Sequence, residues 1–243
     1  MDWSSYAHVY DIMASNNPSY QDIVKQAISE FADIPIPDGG IIADLGAGTG
    51  NFSIAIAGLK PNAIIHHVDN NPQMIALARE KAAQQKISNI QFINSDTTEY
   101  LNNAGKLHAV ISVHAIYPLS HPKEAISGIY EKLAPNGHLV VCDLGRILDI
   151  KDWAFYFFRK NVVQNGFLYT LKMFYRGRTV SAHNKVIANN QKSGIYWTHT
   201  TEEFKETLQQ AGFHVSRIMP MYRDYSDFAV AKKAGSKRSS GAV

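Results

Sequence analysis

The chain holds one cysteine, Cys142, in 243 residues. That excludes an intrachain disulfide and fits a reducing compartment. No uncharged run reaches the ~18 residues that a membrane span needs, and no charged-then-apolar leader opens the sequence. The expected location is therefore cytoplasmic. Excess charge is also scarce: Lys+Arg 24 against Asp+Glu 21 leaves +3, and part of it sits in the final stretch around Lys232, Lys233, Lys237 and Arg238. So small a surplus makes nucleic acid an unfavoured partner. The ten histidines follow no repeated ligand spacing, and His66 and His67, adjacent on a strand, would point to opposite faces. Asp143 has no acidic cluster around it that would suit magnesium. No metal is expected. Apolar residues are not scarce: at 45% of the chain they can fill the core of one large domain, with or without an insertion.

The informative stretch is Ile41-Ile42-Ala43-Asp44-Leu45-Gly46-Ala47-Gly48-Thr49-Gly50-Asn51. An apolar run of β type passes through one acid into three glycines, then into the helical pattern Phe52 to Leu59. Glycine is needed where the backbone turns with positive φ or where a ligand leaves no room for a Cβ. The helix entry beyond offers unpaired N–H groups. Dinucleotides and S-adenosylmethionine (SAM) both use such a loop. The dinucleotide fingerprint reads Gly-x-Gly-x-x-Gly. Here the third glycine comes one residue early and Asn51 occupies its place.

The remaining chain alternates. Residues 1–39 carry Trp3, Tyr6, His8 and Tyr10, a helix from Tyr20 to Phe31, and a Pro/Gly-rich turn; this segment is expected to cover the ligand site. Ala63 to Asp69 reads as a second strand ending in an acid, with Pro72 opening a helix behind it. Asp69 can accept both hydroxyls of a ribose, or cap the helix. Asn89 to Asp96 is a third such strand, and Asp96 can meet an adenine amine or cap a helix. His108 to His114 is a buried fourth strand, followed by a helix from Pro122 to Leu133. A turn at Ala134-Pro135-Asn136-Gly137 leads to a fifth strand, His138 to Asp143. The end of the chain adds a helix, Thr201 to Ala211, and strands at Phe213 to Met221 and Asp227 to Ala231. This order describes an α/β, doubly wound, mostly parallel sheet with helices on both faces. Ligands on such sheets bind beyond the carboxyl ends of the strands.

With these residues in place, the chain resembles a class I, Rossmann-like SAM-dependent methyltransferase of the small-molecule type. Asp44 to Gly50 resembles that family's cofactor loop, Asp69-Asn70-Asn71-Pro72 its ribose-binding acid and helix, Ser95-Asp96 its adenine site, and Leu133 to Val140 its turn before strand five. The resemblance implies seven strands, the last antiparallel and inserted between the fifth and sixth, over residues 40–145 and 200–234. It also implies SAM as cofactor, with S-adenosylhomocysteine as product. Gly46 to Gly48, with Asp44 and Ala47, would support the methionyl part, Asp69 the ribose, Asn70, Asp96 and Thr97 the adenine, and the backbone at Val113 the methionyl amine. The family often has Cys or Ser where this chain has Ala47. His114, Tyr117 and His121 would face the methyl group. Of these, a histidine could act as base if the acceptor must lose a proton, or merely shape the pocket.

Residues 146–199 exceed the short connection this fold requires. Nine aromatics crowd between Trp153 and Tyr175, and seven Lys or Arg face one acid, Asp152, between residues 151 and 185. The expectation is a helical, aromatic-rich lid presenting Trp153, Phe157 and Tyr196 to a small apolar or aromatic acceptor, or to an anionic one through its basic residues. The aromatics can equally be the insertion's own core. The same segment could hold single-stranded RNA, lie on a membrane surface, or pair two subunits as a homodimer. A non-catalytic SAM- or adenosine-binding protein also fits, since methyl transfer obliges no particular nucleophile. Residues 235–243 are expected to form a flexible basic tail.

Overall fold

A computed structural model describes residue 11, residues 14–176 and residues 178–235; side chains at 176, 178 and 179 stand outside that description. The aromatic residues Trp3, Tyr6, His8 and Tyr10 and the basic Lys237 and Arg238 lie outside the described residues.

Seven strands form one sheet in the order β3-β2-β1-β4-β5-β7-β6. They are β1 Ile41–Leu45, β2 Ile64–Asp69, β3 Ile90–Asn94, β4 Leu107–Val113, β5 Leu133–Leu144, β6 His214–Met221 and β7 Ser226–Lys232. The first five run parallel, and β7 is antiparallel to both its neighbours, β5 and β6. The expected insertion of the last strand between the fifth and sixth is therefore present.

The helices are α1 Pro18–Asp33, α2 Asn51–Leu59, α3 Pro72–Gln84, α4 Thr97–Asn103, α5 Pro122–Lys132, α6 Ile150–Asn165, α7 Phe167–Arg176, α8 Arg178–Lys192 and α9 Thr201–Gln210. Local chemistry sets their starts. Asn17, Asn71 and Asp149 accept first-turn N–H groups of α1, α3 and α6, and Thr200 with Glu203 closes a capping box on α9.

Strand alternation divides the core. Along β5, Val140 and Cys142 join Ile42, Ile65 and Phe228 on one face, where Phe31 of α1 and Phe52 and Ile56 of α2 cover them. Leu139 and Val141 join Leu45 and Val110 on the other, under Leu101 of α4, Ile126 of α5 and Phe204 and Leu208 of α9. His66 and His67 do diverge: His66 meets the Tyr100 hydroxyl and His67 meets Ser53.

One boundary differs from expectation. The turn Ala134 to Gly137 is absorbed into β5, because Leu133 already pairs with Leu107 before the register resumes at Ala109 and His138. The intervening residues bulge out, with Asn136 at φ 65°.

Since α1 shares its core with the sheet, truncating Phe31, which is fully buried, should cost about 3 to 5 kcal/mol. Urea denaturation of Phe31→Ala would check this, and a loss below about 1 kcal/mol would show that α1 packs only loosely.

Candidate functional site

The strand order reverses between β1 and β4, which lie side by side but lead their chains to opposite ends of the sheet. Loops leaving such a reversal diverge and open a crevice at the carboxyl ends of the strands. A cavity of about 580 Å³ occupies this place, well within the ~300 to 1,000 Å³ of small-molecule sites.

The glycine loop forms its floor. The amides of Gly46 and Ala47 both donate to the Val68 carbonyl at 2.9 and 3.0 Å, so the loop is pinned to β2. Gly46 has φ 69°, and a Cβ there would sit 2.3 Å from the Cβ of Ala115; only glycine lets the loops after β1 and β4 close on each other. Gly48 has φ 55°, and a Cβ on it would meet no protein atom within 4 Å. Gly48 lines the cavity, so this is a place where backbone can approach a ligand directly.

One end of the cavity is polar. Asp69, at the tip of β2, accepts the Gly48 amide and the Asn71 amide, each at 2.8 Å, while Asn71 rather than Asp69 caps α3. Burial raises the Asp69 carboxyl above its usual range against the pull of those two amides. Asn70, Ser95, Asp96 and Thr97 complete this end. Asp96 does cap α4, accepting the Glu99 amide at 2.8 Å; capping and lining coexist in one side chain.

The other end is apolar. Tyr117, Leu144, Leu148 and Ile187 form a small core beyond the strand ends, with Trp153, Tyr196 and Tyr222 packed against it. Trp153 and Phe157 of α6, Phe174 of α7, and Val180 and Ile187 of α8 wall the cavity. Tyr196 meets Tyr117 edge-on at 5.4 Å between ring centroids. Among the described residues no Lys or Arg lines the cavity.

The turn between β6 and β7 supplies the part of the wall that sequence reasoning missed. Tyr222, Arg223 and Asp224 take φ values of 55°, 58° and 65°, an uncommon run for side-chain-bearing residues, at roughly 1 to 2 kcal/mol each. Three contacts hold it. Arg223 donates two bonds to Asp152 of α6, its guanidinium stacks over Tyr156 and Trp153, and Tyr222 packs on Trp153 at 4.5 Å and on His114 at 4.7 Å. The only sequence signal was an aromatic, charged turn between two strands, 108 residues after His114.

Of the sequence candidates, Gly46, Gly48, Asp69, Asn70, Asp96, Thr97, Val113, His114, Tyr117, Trp153, Phe157 and Tyr196 come together on the cavity wall. Three do not. Asp44 lies buried behind the loop, where its carboxylate accepts the Ser53 hydroxyl; burial pushes its pKa up to about 7 although Ser53 opposes the shift. Ala47 is buried and stands off the cavity wall. His121 is largely exposed and sits 3.6 Å from Glu124 at the start of α5, so it is placed off the wall.

His114 shows a different chemistry from a free imidazole. It is half-buried with φ 54°, its Nε2 lies 2.8 Å from the Ser226 hydroxyl, and desolvation pushes its pKa down to about 3. Behind it, Asp143 faces the backbone of Ile116 and Tyr117 without closing a hydrogen bond, and burial drives its carboxyl up to about 7. Asp227, its partner across the sheet, is tied to Arg146, His199 and Thr201. Burial works to raise Asp227, but these partners outweigh it and hold the carboxyl low.

This geometry has known counterparts. A carboxy-S-adenosyl-L-methionine synthase of Nautilia profundicola is 27% identical over 228 residues, covering 93% of this chain and 92% of that protein. Among solved structures, the magnesium protoporphyrin IX methyltransferase of Synechocystis PCC 6803 with bound SAM superposes with a TM-score of 0.58 at 16% identity, over 89% of this chain and 80% of its own. The N-methyltransferase NodS of Bradyrhizobium japonicum WM9, in complex with S-adenosyl-L-homocysteine, reaches 0.61 at 15% identity, over 91% and 90%. Residues 36–212 match the model of a methyltransferase domain. The chain therefore has the fold of the SAM-dependent methyltransferases and belongs to the methyltransferase domain family.

Proposed function

We propose that this enzyme moves a methyl group from SAM to an O, N or C atom of a small apolar or aromatic molecule. The carrying observation is the division of one cavity into a polar end at β2 and β3 and an apolar, aromatic end under α6, α7 and α8. The residues fit the cofactor: the open space over Gly48 admits a ligand against backbone, and the two acids at neighbouring strand tips, Asp69 and Asp96, suit ribose hydroxyls and the adenine amine. Val113 lies at the strand end where the methionyl amine would be received.

Bound SAM supplies a methyl already activated on a sulfonium, open to in-line displacement. The chain's work is then to hold the acceptor in line and exclude water. Trp153, Phe157, Tyr117 and Tyr196 would grip a flat or greasy acceptor by area and ring contact. No Lys or Arg among the described residues of the wall offers an anionic acceptor a countercharge, which favours a neutral one. The three helices of the insertion act as the lid, and Asp11, with residues 14–20, closes the polar end: Asp11 accepts the Thr49 hydroxyl and the Lys81 ammonium, and Ala14, Asn17 and Tyr20 line the cavity.

His114 is cast as a positioning group and not as the base. A general base works best with a pKa near the operating pH, and an imidazole at about 3 is far below it. Its ring instead supports Tyr222 and Ser226.

A second reading has one observation behind it: relatives named carboxy-S-adenosyl-L-methionine synthase align over nearly the whole chain. A carboxylate on the donor would need a cation or hydrogen-bond donors close to the methyl end; no Lys or Arg among the described residues lines the wall, and Tyr196, Asn184 and the unpartnered Trp153 indole N–H are among the neutral donors it offers.

The test is a screen of pooled phenols, amines, aromatic acids and bulk RNA, followed by mass spectrometry of the nucleoside product. Release of S-adenosylhomocysteine with a methylated neutral aromatic supports the proposal; a carboxylated SAM, activity only on RNA, or tight SAM binding with no turnover on any pool overturns it. Asp69→Ala should weaken SAM binding in calorimetry by about 1 to 3 kcal/mol, and unchanged affinity would remove Asp69 from the ribose. His114→Gln should lower kcat yet leave the acidic limb of the kcat/KM pH profile where it was. Loss of the acidic limb in that variant would make His114 the base after all.

A further inference from the structure

We propose that the outer face of the α6–α7 hairpin docks on an anionic lipid bilayer. Among the described residues, eleven large apolar side chains are exposed, and seven of them lie on these two helices. On α6 they alternate with cations along one stripe: Lys151, Phe155, Arg159 and Val163 recur every fourth residue, with Val163 86% exposed. On α7, Leu168, Leu171 and Tyr175 stand out beside Lys172, Leu168 at 78%.

This exposed face is not the hairpin's packing face. Phe157 and Asn161 of α6 and Thr170 and Met173 of α7 are buried on the inner side, and Phe158 ties the two helices together through Phe167 and Phe174. A helix apolar on both sides needs a second covering.

Charge selects the cover. Lys151, Arg159, Lys160 and Lys172 are exposed and pair with no carboxylate among the described residues. The hairpin's one acid, Asp152, is consumed by Arg223. A second copy would bring the same patch against itself, cation facing cation. A bilayer with acidic headgroups neutralises the lysines and arginines and accepts the apolar side chains between them. No helix among the described residues is long and apolar enough to cross a membrane, so the contact is peripheral.

Vesicle flotation with the full chain tests this, using phosphatidylcholine alone and phosphatidylcholine mixed with phosphatidylglycerol. The protein should float with the mixed vesicles at low ionic strength, remain behind with the neutral ones, and be released by salt. Two double variants, Leu168→Ser with Leu171→Ser and Arg159→Glu with Lys160→Glu, should each cut the bound fraction about tenfold or more, with unchanged circular dichroism and unchanged SAM affinity. Absence of flotation of the parent protein at low salt would overturn the proposal. So would a sedimenting dimer that the leucine variants split, which would assign the face to a second copy. Flotation is measured without any methyl acceptor, so failure of the acceptor assignment leaves this result standing.

Discussion

The structure depends on how closely the loops after β1 and β4 can approach. Gly46 under Ala115 leaves no space for a single carbon, and the two amides bonded to the Val68 carbonyl prevent the glycine loop from backing away. That contact fixes the floor of the crevice between two strands whose chains diverge. Everything on the polar side then follows by register: β2 is in step with β1 from Ile41 and Ile64 to Leu45 and Val68, so Asp69 emerges one residue above the loop and its carboxylate reaches the Gly48 amide. Asp44 secures the same arrangement from behind through Ser53, whose hydroxyl also reaches His67 of β2. A buried carboxyl, hydroxyl and imidazole thereby hold the loop, the α2 start and β2 together.

The half of the site built this way was legible in the sequence, because its determinants are local. Glycines, the acids at strand ends and Pro72 each act within a few residues of where they stand. The apolar half was not legible in the same degree. Trp153 and Phe157 could be named as aromatics of an insertion, yet which of nine aromatics faces inward depends on the pairing of α6 with α7 across Gly166. Tyr222 could not be found at all: it reaches the wall only because β7 turns back between β5 and β6, and because Asp152, in a distant helix, holds Arg223. Local pattern also misplaced the start of β5. Pro135, Asn136 and Gly137 are turn residues, and they do bulge, but the Leu133 to Leu107 pairing extends the strand past them.

Burial decides the character of the titratable groups around the site more than proximity to one another does. Burial pushes the His114 imidazole down to about 3 and the Asp143 carboxyl up to about 7, the first on the cavity wall and the second buried behind it. The charges that persist there are committed: Asp227 to Arg146, Asp152 to Arg223. The acids Asp69 and Asp96 stand at the polar end, while no Lys or Arg among the described residues lines the cavity; on the proposed reading, the grip on the acceptor at the apolar end then rests on shape, ring contact and desolvation.

The insertion is basic, yet none of its described Lys or Arg side chains lines the cavity. An unpaired ammonium or guanidinium facing a dry, aromatic wall would lose its hydration without recompense, and it would compete with the positive sulfonium for the same space. The described cations of α6 and α7, Lys151, Arg159, Lys160 and Lys172, are all exposed and off the cavity wall. Once the inner stripe is reserved for Phe157 and its neighbours, the outer stripe carries both the charge and the surplus of apolar residues. One short hairpin is in this way obliged to have two unlike faces, and a sequence of aromatics interleaved with basic residues is what that obligation looks like when written along the chain.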